Sequence, residues 1–546
     1  MRVADLTRFL LFPLKKNGWT DPVLWLALLL AGFLLFHNLG QRPLWQDEAE
    51  TACLARNVLK FGTPLAFDGK NLISQEEGLE FGSDDGRLWR WSPWLQIYLQ
   101  ALGFLIFTPG TFAARFPFAV CGWLTILFSY RIVLRASGDL AWARTTAGLL
   151  SLSVPFILFA RQGRYYAAGS LLAVLILYFF QDFRRNDLSA PTLAALAATG
   201  LFYANYILFF SYLAGISLAV LVFYRGEITS RQAAWGLGLT GVLLIPGLLI
   251  YRMGRQAGLF DLALAWQNLG SYLVDFFLFF LPLPVALYVV FVAIAPLFSR
   301  TRPQPDEPRK FVLFLGLAIL INISCLALAP LVFTRYLVHL FPAAAVIAAW
   351  VAVRAFRFNG FSGVLLFILL GATNFLHIIP LDLPGKVKRP WYASFNTLIC
   401  PDIPLRLYLA EIFGERQDVN QCAIDFFRKN AGEEDTVLAT YGDLPLIFYT
   451  DLQVFGGLQG RVPPPGLLPD WILVRPFFGL ARSGDFFRSD GYLMKKIDLE
   501  RQYEKILLDC PAELWGARAD PYVHRFLPVP EPFTRLAVYK KRKDSK

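Results

Sequence analysis

DPVLWLALLLAGFLLFHNLGQRPLWQDEAETA (21–52) holds the two features that decide how this chain folds. Residues 22–38 are an apolar run of the length that crosses a bilayer, roughly 20 residues. A few residues later comes a carboxylate pair, Asp47 and Glu48. Two acids at that point do not anchor a core, because they lie where a lipid-borne substrate meets water. The run follows Lys15 and Lys16 and lacks a small-residue cleavage site, so it reads as a signal anchor rather than a removed leader.

The rest of the chain repeats the first feature. Of 546 residues, 56% are hydrophobic, 17% are charged and 50 are Phe, which places the chain among integral membrane proteins. Apolar runs near 22–38, 113–134, 142–160, 166–182, 190–207, 208–224, 233–251, 270–298, 311–331, 336–353 and 361–379 predict about eleven spans. With the N-terminus in the cytoplasm, every cytoplasmic segment is basic: Lys15/Lys16, Arg131/Arg135/Arg144, Arg184/Arg185, Arg225/Arg231, Arg300/Arg302/Arg309/Lys310 and Arg354/Arg357. That agrees with the positive-inside rule. The formal charge of +11 thus reports orientation and not nucleic acid. The expected location is a bacterial inner membrane with the C-terminus periplasmic, despite its basic tail KKRKDSK (540–546).

Two segments fall on the outer side. The loop 39–112 contains WLQIYLQALGFLIF (94–107), too short for a comfortable crossing and read as a juxtamembrane helix. Residues 1–380 form the membrane part, and 381–546 a soluble α/β part. There, segments 435–442, 470–476 and 503–509 look like strands and 422–432 like a helix. Of six cysteines, Cys400 and Cys422 are a candidate disulfide in an oxidising compartment. No cysteine spacing matches a metal site, and the sequence neither requires nor excludes a divalent metal.

Several residues could carry chemistry. Asp47 precedes EAETACLARNVLK (48–60), whose Ala52, Ala55 and Leu59 share a helix face. It either caps that helix, accepting from orphan backbone N–H groups, or acts as a base, or does both. The loop acids Glu76, Glu77, Glu80, Asp84 and Asp85 read as solvated, with one free to meet a metal or a sugar hydroxyl. Outer-end arginines run against the charge rule: Arg161, Arg164, Arg252, Arg255 and Arg335. Each can snorkel or cap helix carbonyls. Presented together, they suit a phosphate headgroup, because the guanidinium fork matches phosphate oxygens. Tyr165, Tyr166 and Tyr336 beside them either stack on sugar or anchor at the interface. His339 and His377 read as hydrogen-bonded structural residues. The chain has no Walker A loop, HExxH or GxSxG. An outer compartment lacks nucleotide sugars, so a transferase there needs a donor already in the membrane.

The chain also resembles a known family. RPLWQDEAETACLARNVLKFGTP (42–64), TFAARFPFAVCGWLTILFSYRI (111–132), FARQGRYYAAGSLLAVL (159–175) and FTRYLVHLFPAAAVIAAW (333–350) follow the order of motifs in GT-C glycosyltransferases related to protein O-mannosyltransferases and the lipid A aminoarabinose transferase. The likeness spans roughly residues 20–380. Where many members carry Lys/His-Pro-Pro, this chain has RWSPW (90–94), with Arg90 as the available cation. The resemblance implies a polyprenyl-phosphate-sugar donor, an inverting displacement and Asp47 as general base. Glu48 would orient the acceptor or support Asp47, and Arg161, Arg164 and Arg335 would meet the leaving phosphate. The acceptor would be a lipid, glycan or protein. Two competing classes remain: a flippase of lipid-linked intermediates, and a non-enzymatic assembly or receptor protein. Transporters place charges at the bilayer midplane, whereas here acids and arginines gather at one face, with Asp275 the main exception.

Overall fold

A computed structural model describes residues 20–81, 87–183, 188–255, 261–297, 306–377, 403–414, 418–475, 496–512, 518–521, 524–529 and 531–543. Asp84, Asp85, Cys400, Lys15, Lys16, Arg184, Arg185, Arg300 and Arg302 lie outside them.

The membrane part is a helical bundle, and helices stand at each of the expected spans. Five are long and apolar enough to cross: Thr111–Ser137, Tyr206–Phe223, Ser230–Ile250, Glu307–Leu326 and Thr334–Phe358. Pro22–Phe36, Tyr165–Phe180, Ser189–Ala204 and Gly360–Ala372 are apolar but shorter. At 1.5 Å per residue, a 15-residue helix such as Pro22–Phe36 reaches only about 22 Å. Two expected spans are broken. Leu140–Leu152 meets Val154–Ala160 at 66°, and Leu262–Phe279 meets Leu283–Ile294 at 105°. The second break corrects the single span expected at 270–298. Pro282 and Pro284 sit at the junction, where proline cannot donate to the preceding turn and so ends a helix. Large apolar side chains remain exposed on the bundle's flanks, among them Leu249 at 78% and Phe361 at 75%, as a lipid-facing surface requires.

At one end of the bundle the first loop and the C-terminal residues build a common core. The helix Gln46–Phe61 ends at Gly62, whose φ of +78° suits glycine. Leu95–Ile106, the expected juxtamembrane helix, packs against it and against Thr111–Ser137. The sheet has the order β2-β1-β3-β5-β4, from β1 (Thr436–Ala439), β2 (Gln453–Gly456), β3 (Trp471–Val474), β4 (Tyr503–Pro511) and β5 (Arg535–Lys541). β1, β2 and β3 run parallel, and β5 pairs antiparallel with β3 and β4. The expected helix is Val419–Asn430; β2 and β5 were not foreseen.

Side chains join the loop to the sheet. Asn71 donates to Leu452 O at 3.0 Å and accepts from Val454 N at 2.8 Å, covering the β2 edge. Arg56 donates to the Ile447 and Phe448 carbonyls, and Lys70 to those of Glu433 and Asp451. The disulfide joins Cys422 to Cys510, not to Cys400, tying Val419–Asn430 to β4. Spacing could not show this, because the pairing depends on a strand packing beside a helix 88 residues away.

Candidate functional site

The Gln46–Phe61 helix divides its acids between two faces. Its N-cap is Trp45, with no side-chain cap bond, so Asp47 does not cap it. Asp47 lies in the first turn, where an acid also complements the helix dipole. Its carboxylate turns instead to two guanidiniums. Arg335 Nη1 donates to Asp47 Oδ2 at 2.9 Å, and Arg164 Nη2 stands 3.9 Å from the same oxygen. The Asp47 side chain keeps 14% exposure, so a small group can still reach it. Burial pushes its pKa up, but Arg335, Arg164 and Arg518 together outweigh burial and hold it below the usual carboxylate range.

Each cation has a local reason for its place. Arg164 is the N-cap residue of Tyr165–Phe180, after the turn that follows the broken helix pair. Arg335 lies in a 3-10 segment, Thr334–Leu340, that leads into Phe341–Phe358. Thr334 Oγ1 donates to Asp275 Oδ2 at 2.7 Å, so the one conspicuous intramembrane acid anchors the segment that presents Arg335. Arg518, from the C-terminal part, places its guanidinium 4.8 Å from the Trp45 ring centre, within attractive range. Tyr165 and Tyr166 sit edge-to-face at 4.7 Å, and these two with Tyr336 lie within the electrostatic reach of Arg335.

Glu48 points the other way and is fully buried. It takes Arg115 Nε at 2.8 Å and Nη2 at 2.6 Å, and the Gly163 amide at 2.6 Å. Arg115 also donates to the carbonyls of Leu39, Arg42 and Pro43. A Cβ on Gly163 would come within 2.5 Å of Gln100 Nε2, so a larger residue there would have to displace the Gln100 amide. Glu48 therefore locks the Gln46–Phe61 helix to the 161–164 turn and does not face Asp47.

Arg161 is also occupied elsewhere. Its Nη1 donates to the carbonyls of Leu34, Leu35 and His37, closing the end of the first helix. This is the capping alternative, and it separates Arg161 from Arg164 and Arg335. Arg90 is held through its backbone between Glu80 and Arg252. Among the loop acids, Glu80 is buried and accepts from Ser74 Oγ at 2.7 Å and Glu76 N at 2.8 Å, so it shapes the loop. His339 meets Asn322 at 2.9 Å and His377 meets the Phe277 carbonyl at 2.9 Å, both as structural residues. Among the described residues no group of three or more His, Cys, Asp or Glu could hold a metal ion.

Three contributors escaped the sequence reading: Glu50, Tyr441 and Arg518. Glu50 was within sight, one turn past Asp47. Tyr441 and Arg518 carried no signal, because only the docking of the sheet brings them near Asp47. Asp443, beside Tyr441, accepts from Gln46 Nε2 at 2.7 Å. An apolar cavity of about 280 Å³, lined by Leu158, Phe280, Phe341 and His524 among others, lies elsewhere in the bundle. A smaller polar cavity of about 70 Å³ holds Arg42, Arg115 and Arg161. Neither includes Asp47.

No protein-family model and no curated protein matches the chain by sequence. Solved structures do match by fold. ArnT from Cupriavidus metallidurans in the apo state superimposes with a TM-score of 0.54 at 15% identity, covering 96% of this chain and 98% of that one. The same protein bound to undecaprenyl phosphate gives a TM-score of 0.52 at 14% identity, over 96% and 98% of the two chains. Over nearly its whole length, the chain has the fold of ArnT from Cupriavidus metallidurans.

Proposed function

We propose that this protein is a membrane glycosyltransferase that moves a sugar from a polyprenyl-phosphate donor to an acceptor hydroxyl at the non-cytoplasmic face, with inversion. One observation carries the reading: an ionised, partly accessible carboxylate held against two guanidiniums at the end of the bundle that carries the soluble part. The fold shared with ArnT, whose complex contains undecaprenyl phosphate, supports a lipid phosphate as the donor's anchor.

The chemistry follows from those charges. Asp47 takes the proton of the acceptor hydroxyl while that oxygen attacks the anomeric carbon. The bond from the anomeric carbon to the phosphate oxygen breaks, and its electron pair leaves with the lipid phosphate. Arg335 and Arg164 meet that growing charge, as preorganised donors should. In the resting site Asp47 occupies Arg335. A donor phosphate competes for the same guanidinium, and Asp47 becomes a better base as its partner is drawn away. Attack opposite the leaving group in one step inverts the anomeric centre. Arg518 and Tyr441 close the site from the C-terminal side, where an acceptor would approach.

Incubating the purified protein with a panel of polyprenyl-phosphate sugars and an envelope-lipid acceptor should release polyprenyl phosphate for at least one sugar. Release from none, with the protein folded, would overturn the reading. Arg335→Gln should lower kcat/KM about a hundredfold, whereas Arg161→Gln should leave kcat/KM within a few fold after correction for folded protein. Equal kinetic losses in the two variants would show that proximity to Asp47 does not matter.

A further inference from the structure

Glu50 is 5% exposed and lies one turn beyond Asp47, on the face of the helix that Asp47 occupies. Both acids address one guanidinium. Arg164 Nη1 donates to Glu50 Oε1 at 3.1 Å, to Thr51 Oγ1 at 2.8 Å and to Asp47 O at 3.0 Å, while Nη2 stands 3.9 Å from Asp47 Oδ2. The second Glu50 oxygen accepts from Gln75 Nε2 at 2.5 Å. Arg164 is itself 8% exposed, and its Nε is buried without a hydrogen-bond partner. Arg164, Arg335 and Arg518 act on Asp47, and Arg164, Asp47 and Glu80 act on Glu50. An ionised Glu50 adds a negative charge that opposes a phosphodiester at Arg164. One proton on Glu50 removes that charge and leaves the guanidinium better matched to a phosphodiester.

Resting on the glycosyl-transfer reading of this site, we propose that Glu50 is a positioning residue that competes with the donor's phosphodiester for Arg164, so that its protonation sets how tightly the lipid donor binds. Burial, with the charges of Asp47 and Glu80, outweighs the pull of Arg164 and Gln75 and lifts Glu50 to about 7. The sign follows. Below that value Glu50 is neutral, Arg164 turns to the phosphate, and binding is tight. As pH rises through it, the ionised Glu50 reclaims Arg164 and binding weakens. Asp443 is also pushed up by burial, to about 6, but its bonds run to Gln46 and Gln459 and not to Arg164. Removing Glu50's charge alone therefore separates the two.

The test measures binding of the methyl ester of undecaprenyl phosphate, whose single charge is constant in this range, to the full-length protein in lipid nanodiscs. Between about pH 6 and about pH 8 the wild-type Kd should rise about fivefold, most of the way along the tenfold span that a one-unit shift of Glu50 on binding sets. Glu50→Gln should bind tightly at both values with a flat profile. Glu50→Asp should keep the slope with its midpoint moved down. A slope that persists in Glu50→Gln, a flat wild-type profile, or an unmoved midpoint in Glu50→Asp overturns the proposal while leaving glycosyl transfer standing. Failure of the wild type to bind the ester at either pH overturns the transfer reading itself.

Discussion

Asp47→Asn should bind a polyprenyl-phosphate donor and transfer its sugar about 10²–10⁴-fold more slowly than the wild type, the usual cost of losing a general base. The amide keeps the size of the carboxylate and can still accept from Arg335, so the site should hold its shape. It cannot take the acceptor's proton. Because the neighbouring arginines keep Asp47 below the usual carboxylate range, wild-type transfer should retain its base down to about pH 5. Donor binding measured beside transfer separates loss of chemistry from loss of structure. Near-normal transfer by Asp47→Asn would remove Asp47 from the mechanism.

The second large effect is expected on stability. Glu48 and Arg115 form a buried pair at 2.6 Å, with Glu48 also accepting the Gly163 amide. Glu48→Ala strands the Arg115 guanidinium among carbonyls, with Asp418 as a weaker counter-charge. Breaking one side of a buried pair costs about 3–5 kcal/mol. The unfolding temperature of the purified variant, followed by tryptophan fluorescence, should drop steeply, and the folded fraction should be small. Glu48→Gln keeps part of the hydrogen bonding and should lose less. If Glu48→Ala unfolded like the wild type but lost transfer, Glu48 would belong to the chemistry rather than to the scaffold.

These two neighbours show how far the sequence could be read. The pair Asp47–Glu48 drew attention to this helix, yet one of the two acids proves to be a buried structural residue. It could not say which acid faces the site. Adjacent residues on a helix point about 100° apart, and only the position of Arg115, on the helix Thr111–Ser137, decides which acid is sealed. The arginines divide in the same way. Arg161 and Arg164 are three residues apart, yet one closes the first helix and the other meets Asp47, because the chain turns sharply between them. Apolar length located the helices, but Pro282 and Pro284 broke one that hydropathy alone had left whole. Arg518 was invisible because its proximity to Asp47 arises from the docking of a sheet whose strands lie between Thr436 and Lys541, hundreds of residues beyond the first loop.

The pairing of Asp47 with Arg335 and Arg164 is most directly tested by determining the structure of the protein with undecaprenyl phosphate bound. The phosphate should lie within hydrogen-bonding distance of Arg335 and Arg164, with the Asp47 carboxylate released from Arg335 and facing the vacant sugar position. A phosphate lodged instead in the polar cavity beside Arg42 and Arg161, with the Asp47–Arg335 bond intact, would contradict it.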